Sequence, residues 1–319
     1  MFNKIPTVIQ SKELVNRCFS KASKIEIPEQ KPWIAYVRTQ CIAKISTVEG
    51  IAVAHLKRMI KKFPSTDHLH PFYLSVLDMS FDIDNYKKSL SRVQWSYQKI
   101  VELAGKDIRS LKSKKTAKEA NAVLRQFYGR FASIVEDLSD DLVMLSACRD
   151  QMRKIPEIEP EVPTFLVAGM PNVGKSSLVA ALSTARPRIA TFPFTTKNIN
   201  IGYMFLGHVR TQIIDTPGIL DRPETDRNEM EKRAISALNT IDGSIIFLFD
   251  NSGTSGYTRE SQETLFSEVK KETGKNVIRV QSKVDLGEEM SEENAISSVT
   301  GYGLDKLKEV MSVALGARA

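Results

Sequence analysis

The sequence is poor in the residues that mark secreted, metal-stapled or membrane-embedded proteins. Its three cysteines, Cys18, Cys41 and Cys148, are an odd, scattered set with no CxxC. That argues against a disulfide frame or a structural zinc and for reduced thiols in the cytoplasm. Apolar runs such as Ile245–Phe249 fall far short of the ~20 residues that cross a membrane. The opening segment, MFNKIPTVIQSKELV, has no continuous apolar stretch and no small-residue cleavage site, so no secretory leader is expected. Histidine is scarce, and the one close pair, His68 and His70 before Pro71, reads as a turn rather than a metal site. No internal repeat is visible. An apolar content of 42% and a charged content of 26% exclude wholesale disorder.

What is present divides into two halves. The 319 residues suffice for two domains of ~150 residues. The net charge of +7 is uneven: residues 1–160 carry +9, residues 161–319 carry −2, and residues 1–130 alone carry +13. A basic half invites a polyanion, with nucleic acid first and an anionic membrane second. The densest basic groups are Lys57, Arg58, Lys61 and Lys62, and then Lys112, Lys114, Lys115 and Lys118. They lack the flanking exposed aromatic face of membrane-surface helices, so RNA is the expected partner and no membrane is expected.

The basic half reads as helix. From Trp33 to Phe63, Ile34, Val37, Cys41, Ile45, Val48, Ala52, Leu56 and Met59 recur in steps of three and four, one stripe down a helix. Tyr86 to Ala104 repeats the pattern, as does Ala117 to Leu138, with a continuation to Met152 left open. Breakers fall at Pro64, Pro71 and Gly105. Such stripes must bury one another, which predicts an all-α helical bundle over 1–154. A Pro-rich, acidic linker follows at 155–163 (IPEIEPEVP). Over 164–319 strand signals (Phe165–Ala168, Ile199–Phe205, Val209–Ile214, Ser244–Phe249, Val277–Gln281, Ala295–Ser298) alternate with helix signals (Ser176–Leu182, Asn228–Leu238, Arg259–Glu272, Leu304–Ala314). That alternation predicts an α/β layer fold with a mostly parallel sheet.

The chemistry begins at Gly169-Met-Pro-Asn-Val-Gly-Lys-Ser176, which fits GxxxxGK[ST] between a strand and a helix. Gly169 and Gly174 let the backbone turn, so that the loop from Pro171 wraps the phosphates and N–H groups of Asn172, Val173, Gly174, Lys175, Ser176 and Ser177 face phosphate oxygens at a helix N-terminus. Lys175 would reach the β- and γ-phosphates and Ser176 would hold Mg2+. Asp215-Thr-Pro-Gly218 matches DxxG, in which Asp215 would hold Mg2+ through water and the Gly218 N–H would bond the γ-phosphate. Ser282-Lys-Val-Asp285 resembles the guanine-reading NKxD: Asp285 would accept from guanine N1–H and the exocyclic amine, and the Lys283 stem would cover the base. Ser297-Ser298-Val299 fits the loop that offers a backbone N–H to guanine O6. Ser282 stands where the pattern has Asn and is expected to brace the phosphate loop only in part. In Ala190-Thr-Phe-Pro-Phe-Thr-Thr196 a threonine, Thr195 or Thr196, would close over the γ-phosphate and Mg2+. After DTPG comes Ile219, where many GTPases place a water-orienting glutamine, so slow hydrolysis is expected.

The stretches IPEIEPEVPTFLVAGMPNVGKSS, RIATFPFTTKNINIGY, DTPGILDRPETDRNEMEKRAISAL and DNSGTSGYTRESQ together resemble the Nog family of nucleolar GTP-binding proteins, within the Obg-related GTPases. The resemblance spans the whole chain and implies a Rossmann-like P-loop GTPase domain preceded by the helical domain. It also implies GTP hydrolysis with Mg2+ and a role in large ribosomal subunit assembly, with rRNA or ribosomal proteins as partners. The chain looks like the short archaeal-type form, expected to be a cytoplasmic monomer. On the resemblance, Asn172, Gly174, Lys175, Ser176, Thr196, Asp215, Gly218, Lys283, Asp285 and Ser297 carry over. Asn172, with Lys175, Thr196 and Gly218, is a candidate for catalysis, because some related GTPases use this Asn to hold K+ against the phosphates. The alternative is a nucleotide-gated protein-binding module with negligible hydrolysis.

Overall fold

The structure, a computed structural model, describes residues 2–29, 31–191, 198–216, 218, 220–222, 227–286 and 292–316. The first helices are α1 (Ser11–Ser23), α2 (Trp33–Lys62), α3 (Pro71–Ser80), α4 (Ile83–Lys112), α5 (Ala117–Glu136) and α6 (Ser139–Met152). Strands and helices then alternate as β1 (Thr164–Ala168), α7 (Lys175–Leu182), β2 (Arg188–Thr191), β3 (Asn198–Leu206), β4 (Val209–Asp215) and α8 (Glu229–Asn239). They end with β5 (Gly243–Asp250), α9 (Arg259–Thr273), β6 (Val277–Ser282) and α10 (Leu304–Gly316).

The chain forms two compact units. Met1–Ser65 with Phe81–Arg153 makes one, and Thr66–Ser80 with Lys154–Ala319 makes the other. The first is a bundle of α1, α2, α4, α5 and α6. The α2 stripe of Val37, Cys41, Ile45, Val48, Ala52, Leu56 and Met59 is buried, as its spacing predicts. Two bonds show that α2 and α4 run antiparallel: Arg38 Nη1 donates to Lys112 O at 3.0 Å and Tyr86 Oη to Pro64 O at 2.7 Å. Gly105 does not break α4. Helix interiors tolerate a glycine at ~1 kcal/mol when the face beside it packs, and Ala104 and Leu111 are fully buried. The stripe from Ala117 to Met152 is two helices, which part at Asp137 and Leu138. α5 is started by a capping box between Thr116 and Glu119.

The segment 66–80 departs from the sequence expectation, because it belongs to the second unit. α3 packs there on α8, with an ion pair of 2.7 Å between Arg233 and Asp78. His70 Nδ1 accepts the Phe72 N–H at 3.1 Å at the start of α3. The linker is packed as well. Ile155 and Ile158 are buried, and Glu159 takes a two-pronged bond from Arg210 at 2.8 Å on each prong.

The sheet order is β2-β3-β4-β1-β5-β6. β4, β1, β5 and β6 run parallel, and β3 joins them antiparallel with β2 at its edge. β1 and β5 are buried along their whole length, as central strands covered on both faces are. β2 was not expected. Ala295–Ser298 is not a strand, since only Ala295 makes an isolated bridge, to Gln281. The register sets Val167 beside Asp215, Ala168 beside Phe247, and Asp250 beside Ser282. The carboxyl ends of four parallel strands therefore share one rim, where open α/β sheets bind ligands.

Candidate nucleotide-binding site

The turn from β1 into α7 needs two glycines for different reasons. Gly169 has φ 135°, and a Cβ there would meet Leu248 O at 2.7 Å. Gly174 caps α7 at φ 96°, left-handed territory that side chains disfavour. Asn172 also has positive φ, 64°, which Asn tolerates. It is exposed and makes no hydrogen bond among the described residues. Lys175 is buried, and its ammonium donates to Gly169 O at 2.8 Å and Met170 O at 2.7 Å. Pro171 is half-buried, Val173 buried and Ser177 exposed, so the loop is anchored on Val173 and open on the Asn172 side.

Next to the loop, Ser176 Oγ donates to Asp215 Oδ2 at 2.5 Å, and Asn200 Nδ2 donates to the same oxygen at 3.0 Å. Asp215 is fully buried, yet its Oδ1 has no partner among the described residues. A buried carboxylate oxygen left over beside a serine hydroxyl is a hard-oxygen pair that fits Mg2+. The Gly218 N–H is engaged differently from the expectation: it donates to Asp221 Oδ2 at 2.7 Å, and Asp221 is buried. Thr195, Thr196 and Ile219 lie outside the described residues.

The base-side elements meet at the ends of β5 and β6. Ser282 Oγ donates to Val173 O at 2.7 Å and to Phe249 O at 3.1 Å, so one short hydroxyl ties β6 to the phosphate loop and to β5. Ser282 makes this tie from a buried position. Lys283 has φ 58°, and its ammonium bonds Asp250 Oδ2 and Thr254 Oγ1, each at 2.7 Å. Burial pushes the Asp250 carboxyl up. The Lys283 ion pair and the Ser252 bonds outweigh that, and its pKa is lowered. Asp250 and Thr254, which fall within the DNSGTSG stretch, match none of the nucleotide-binding motifs. An acid at the end of a buried strand was the available signal.

Asp285 is exposed rather than buried, and has no partner among the described residues. The Val284 N–H donates to Ile296 O at 3.3 Å and the Ile296 N–H to Gln281 O at 2.8 Å, which ties the two base-side loops together. In the second loop the Ser297 N–H goes to Tyr302 O, while Ser297 Oγ accepts from the Val299 and Thr300 N–H groups at 3.3 and 3.1 Å. The Ser298 N–H is the one left without a partner among the described residues. Ser297 is fully buried and the Val299 side chain is exposed.

The expected RNA residues do not form one patch. Lys57, Arg58, Lys61 and Lys62 are exposed near the C-terminus of α2, and Lys57 lies over the Tyr97 ring at 5.2 Å. Lys112, Lys115 and Lys118, also exposed, and half-buried Lys114 surround the α4–α5 turn. Because α2 and α4 are antiparallel, the groups occupy opposite ends of the bundle, ~20 Å or more apart at 1.5 Å per residue. No helix among the described residues is long and apolar enough to cross a membrane.

Comparison with known proteins agrees with this geometry. Residues 2–159 match the family described as NOG1 N-terminal helical domain, and residues 164–283 match 50S ribosome-binding GTPase. An uncharacterized protein of Methanocaldococcus jannaschii is 33% identical over 90% of this chain and 82% of its own. Nucleolar GTP-binding protein 1 of Arabidopsis thaliana is 31% identical over 99% of this chain and 47% of its own. The Saccharomyces cerevisiae protein of that name is 32% identical over 97% and 48%. The chain thus spans about half the length of these two nucleolar relatives. With both family matches in chain order over a P-loop site, the chain belongs to the Nog family of nucleolar GTP-binding proteins.

Proposed function

We propose that this chain binds GTP with Mg2+, hydrolyses it slowly to GDP and phosphate, and uses the two states as a switch in large ribosomal subunit assembly. The observation that carries this reading is the shared rim. There the phosphate loop, Asp215, the Ser282–Asp285 turn and the Ser297–Val299 loop meet, with Ser282 bonded to the loop itself. Lys175, freed from its two loop carbonyls, meets the β- and γ-phosphates, and the loop N–H groups receive the remaining oxygens. Ser176 and Asp215, with Thr196 as a third donor, would hold Mg2+, which would supply positive charge against the triphosphate oxygens. Guanine is read by the Asp285 carboxylate, which the base itself desolvates, and by the free Ser298 N–H at O6. The γ-phosphate must take the Gly218 N–H from Asp221, so that bond opposes the triphosphate state.

Asp285→Asn tests the base assignment. The variant is expected to lose GTP and gain xanthosine triphosphate, whose second carbonyl suits the amide. GTP binding at parental strength would reject Asp285 as the base reader. Ile219 cannot polarise water, so a cation must meet transition-state charge, and exposed, unbonded Asn172 suits K+. Turnover should be faster in K+ than in Na+, an advantage lost in Asn172→Ala. Turnover that stays negligible in both salts favours the nucleotide-gated binding module. The helical unit is assigned the rRNA or ribosomal-protein contacts, on the charge of +13 that residues 1–130, most of which it holds, carry.

A further inference from the structure

At one end of the helical bundle a basic group stands beside an exposed indole backed by a half-buried tyrosine. Trp33 is 64% exposed and stacks on Tyr36, with ring centroids 5.0 Å apart and planes 22° from parallel. It lies four residues before Val37, the first buried member of the α2 stripe. It therefore continues the core-facing row one turn past the point where neighbouring helices cover it. Two contacts bring the α4–α5 turn alongside: Arg38 on Lys112 O at 3.0 Å, and Cys41 Sγ on Asn121 Oδ1 at 3.7 Å. Lys112, Lys114, Lys115 and Lys118 stand around that turn, and exposed Lys31 precedes Trp33. Glu119, the acid within that run, is engaged elsewhere: its carboxylate accepts the Lys115 and Thr116 N–H groups at 3.0 and 3.1 Å. Glu26 and Glu29 in the preceding loop leave the end net positive. Trp95, also exposed, differs. Lys99 lies over its ring at 5.9 Å and is paired with Glu102 at 2.8 Å.

We propose that this end of the bundle binds RNA at an unpaired base, which stacks on the Trp33 indole while flanking phosphates rest on Lys112, Lys115 and Lys118. The proposal rests on the RNA reading of the helical unit and names its substrate: RNA with a bulged or looped-out nucleotide. A paired base offers no free face, and the deep major groove of an RNA duplex admits no side chain, whereas an extruded base stacks on any aromatic plane. Tyr36 behind the indole holds it as a rigid platform at small entropic cost.

The test uses the full chain carrying Trp95→Phe, so that Trp33 is the sole indole. Two RNA hairpins are compared at low salt, identical except that one has a single bulged adenosine. The bulged hairpin should bind roughly tenfold tighter and quench Trp33 fluorescence. Trp33→Ala should reduce its affinity to that of the paired hairpin with the salt slope unchanged, and Trp33→Phe should keep part of the preference. An unchanged far-ultraviolet circular dichroism spectrum and thermal midpoint for each variant check that the helical bundle is folded. Equal binding of both hairpins, or a preference that survives Trp33→Ala, overturns the platform and leaves the RNA reading standing. Failure to bind either hairpin overturns both.

Discussion

In the sheet unit four polar groups at the rim, Lys175, Asp215, Asp250 and Ser282, are buried and individually held, while Asn172 and Asp285 are exposed. In the helical unit the basic groups face solvent, Lys114 only in part, and Lys57 lies over the Tyr97 ring. Lys175, Asp215, Asp250 and Ser282 are all buried, each with hydrogen-bond partners at 2.5–3.0 Å. The lysines of the α2 end and of the α4–α5 turn face solvent. A buried, preoriented donor acts at one point in a low dielectric, so a single substitution removes a large energy. A field of exposed charges acts by sum and is screened, so each residue counts for little and salt for much. One unit should therefore fail at a single residue and the other only by groups.

The largest expected effect is at Lys175. Lys175→Ala removes a buried cation from anionic ligand oxygens, a loss of roughly 2–5 kcal/mol, or about 30-fold to several thousandfold in triphosphate affinity. RNA binding by the helical unit should not change. Calorimetric titration with a nonhydrolysable GTP analogue checks the first part, and a filter-binding assay the second. A variant that binds the analogue within a few-fold of the parent would dismantle the contrast.

Next in size is charge reversal in the bundle. Lys112, Lys114 and Lys115 changed together to Glu should weaken RNA binding at low salt and lower the log-affinity versus log-salt slope by about two to three units. GTP affinity should stay the same. The same treatment of Lys57, Arg58 and Lys61 reports on the opposite end. If the two triple variants behave alike on a hairpin too short to span the bundle, binding is diffuse rather than localised.

The same contrast explains what could be read in advance. That the segments GMPNVGKS, DTPG, SKVD and SSV gather at one rim was legible, because each is a short contiguous motif at the end of a strand or beside one. The order in which they occur adds information that no single one has. The α2 and α5 stripes were legible because burial imposes a period. The division of the lysines between two ends was not, since it depends on α2 and α4 being antiparallel, which no local pattern states. Nor was the assignment of α3 to the sheet unit, because an apolar helix of ten residues fits either core. Gly218 was placed on the γ-phosphate by its motif. The carboxylate of Asp221, three residues on, competes for the same N–H and has no distinguishing signal in sequence.

The smallest expected effect is at the linker, whose composition reads as a tether but whose side chains are fastened. Arg210 holds the Glu159 carboxyl down at about 2, outweighing the opposing effect of burial, and the Tyr203 hydroxyl adds a bond of 2.8 Å. Tyr203 itself is pushed up to about 12, chiefly by burial and then by that bond, so it does not titrate in the acid range. A carboxylate whose folded pKa is depressed contributes stability that is fully present above its unfolded value, ~4.3. The contribution fades as pH falls from there through about 2. Both Glu159 and Arg210 are nearly half exposed, so solvent screening keeps the effect modest. Glu159→Gln should therefore lower the thermal midpoint slightly at pH 7, and the gap between variant and parent should narrow steadily from pH 5 to pH 2. GTP affinity at pH 7 should be unaffected, since the bond fastens the linker to β4 and makes no contact with the rim. A gap of constant size across that range would mean that the Glu159 carboxylate does not fasten the linker.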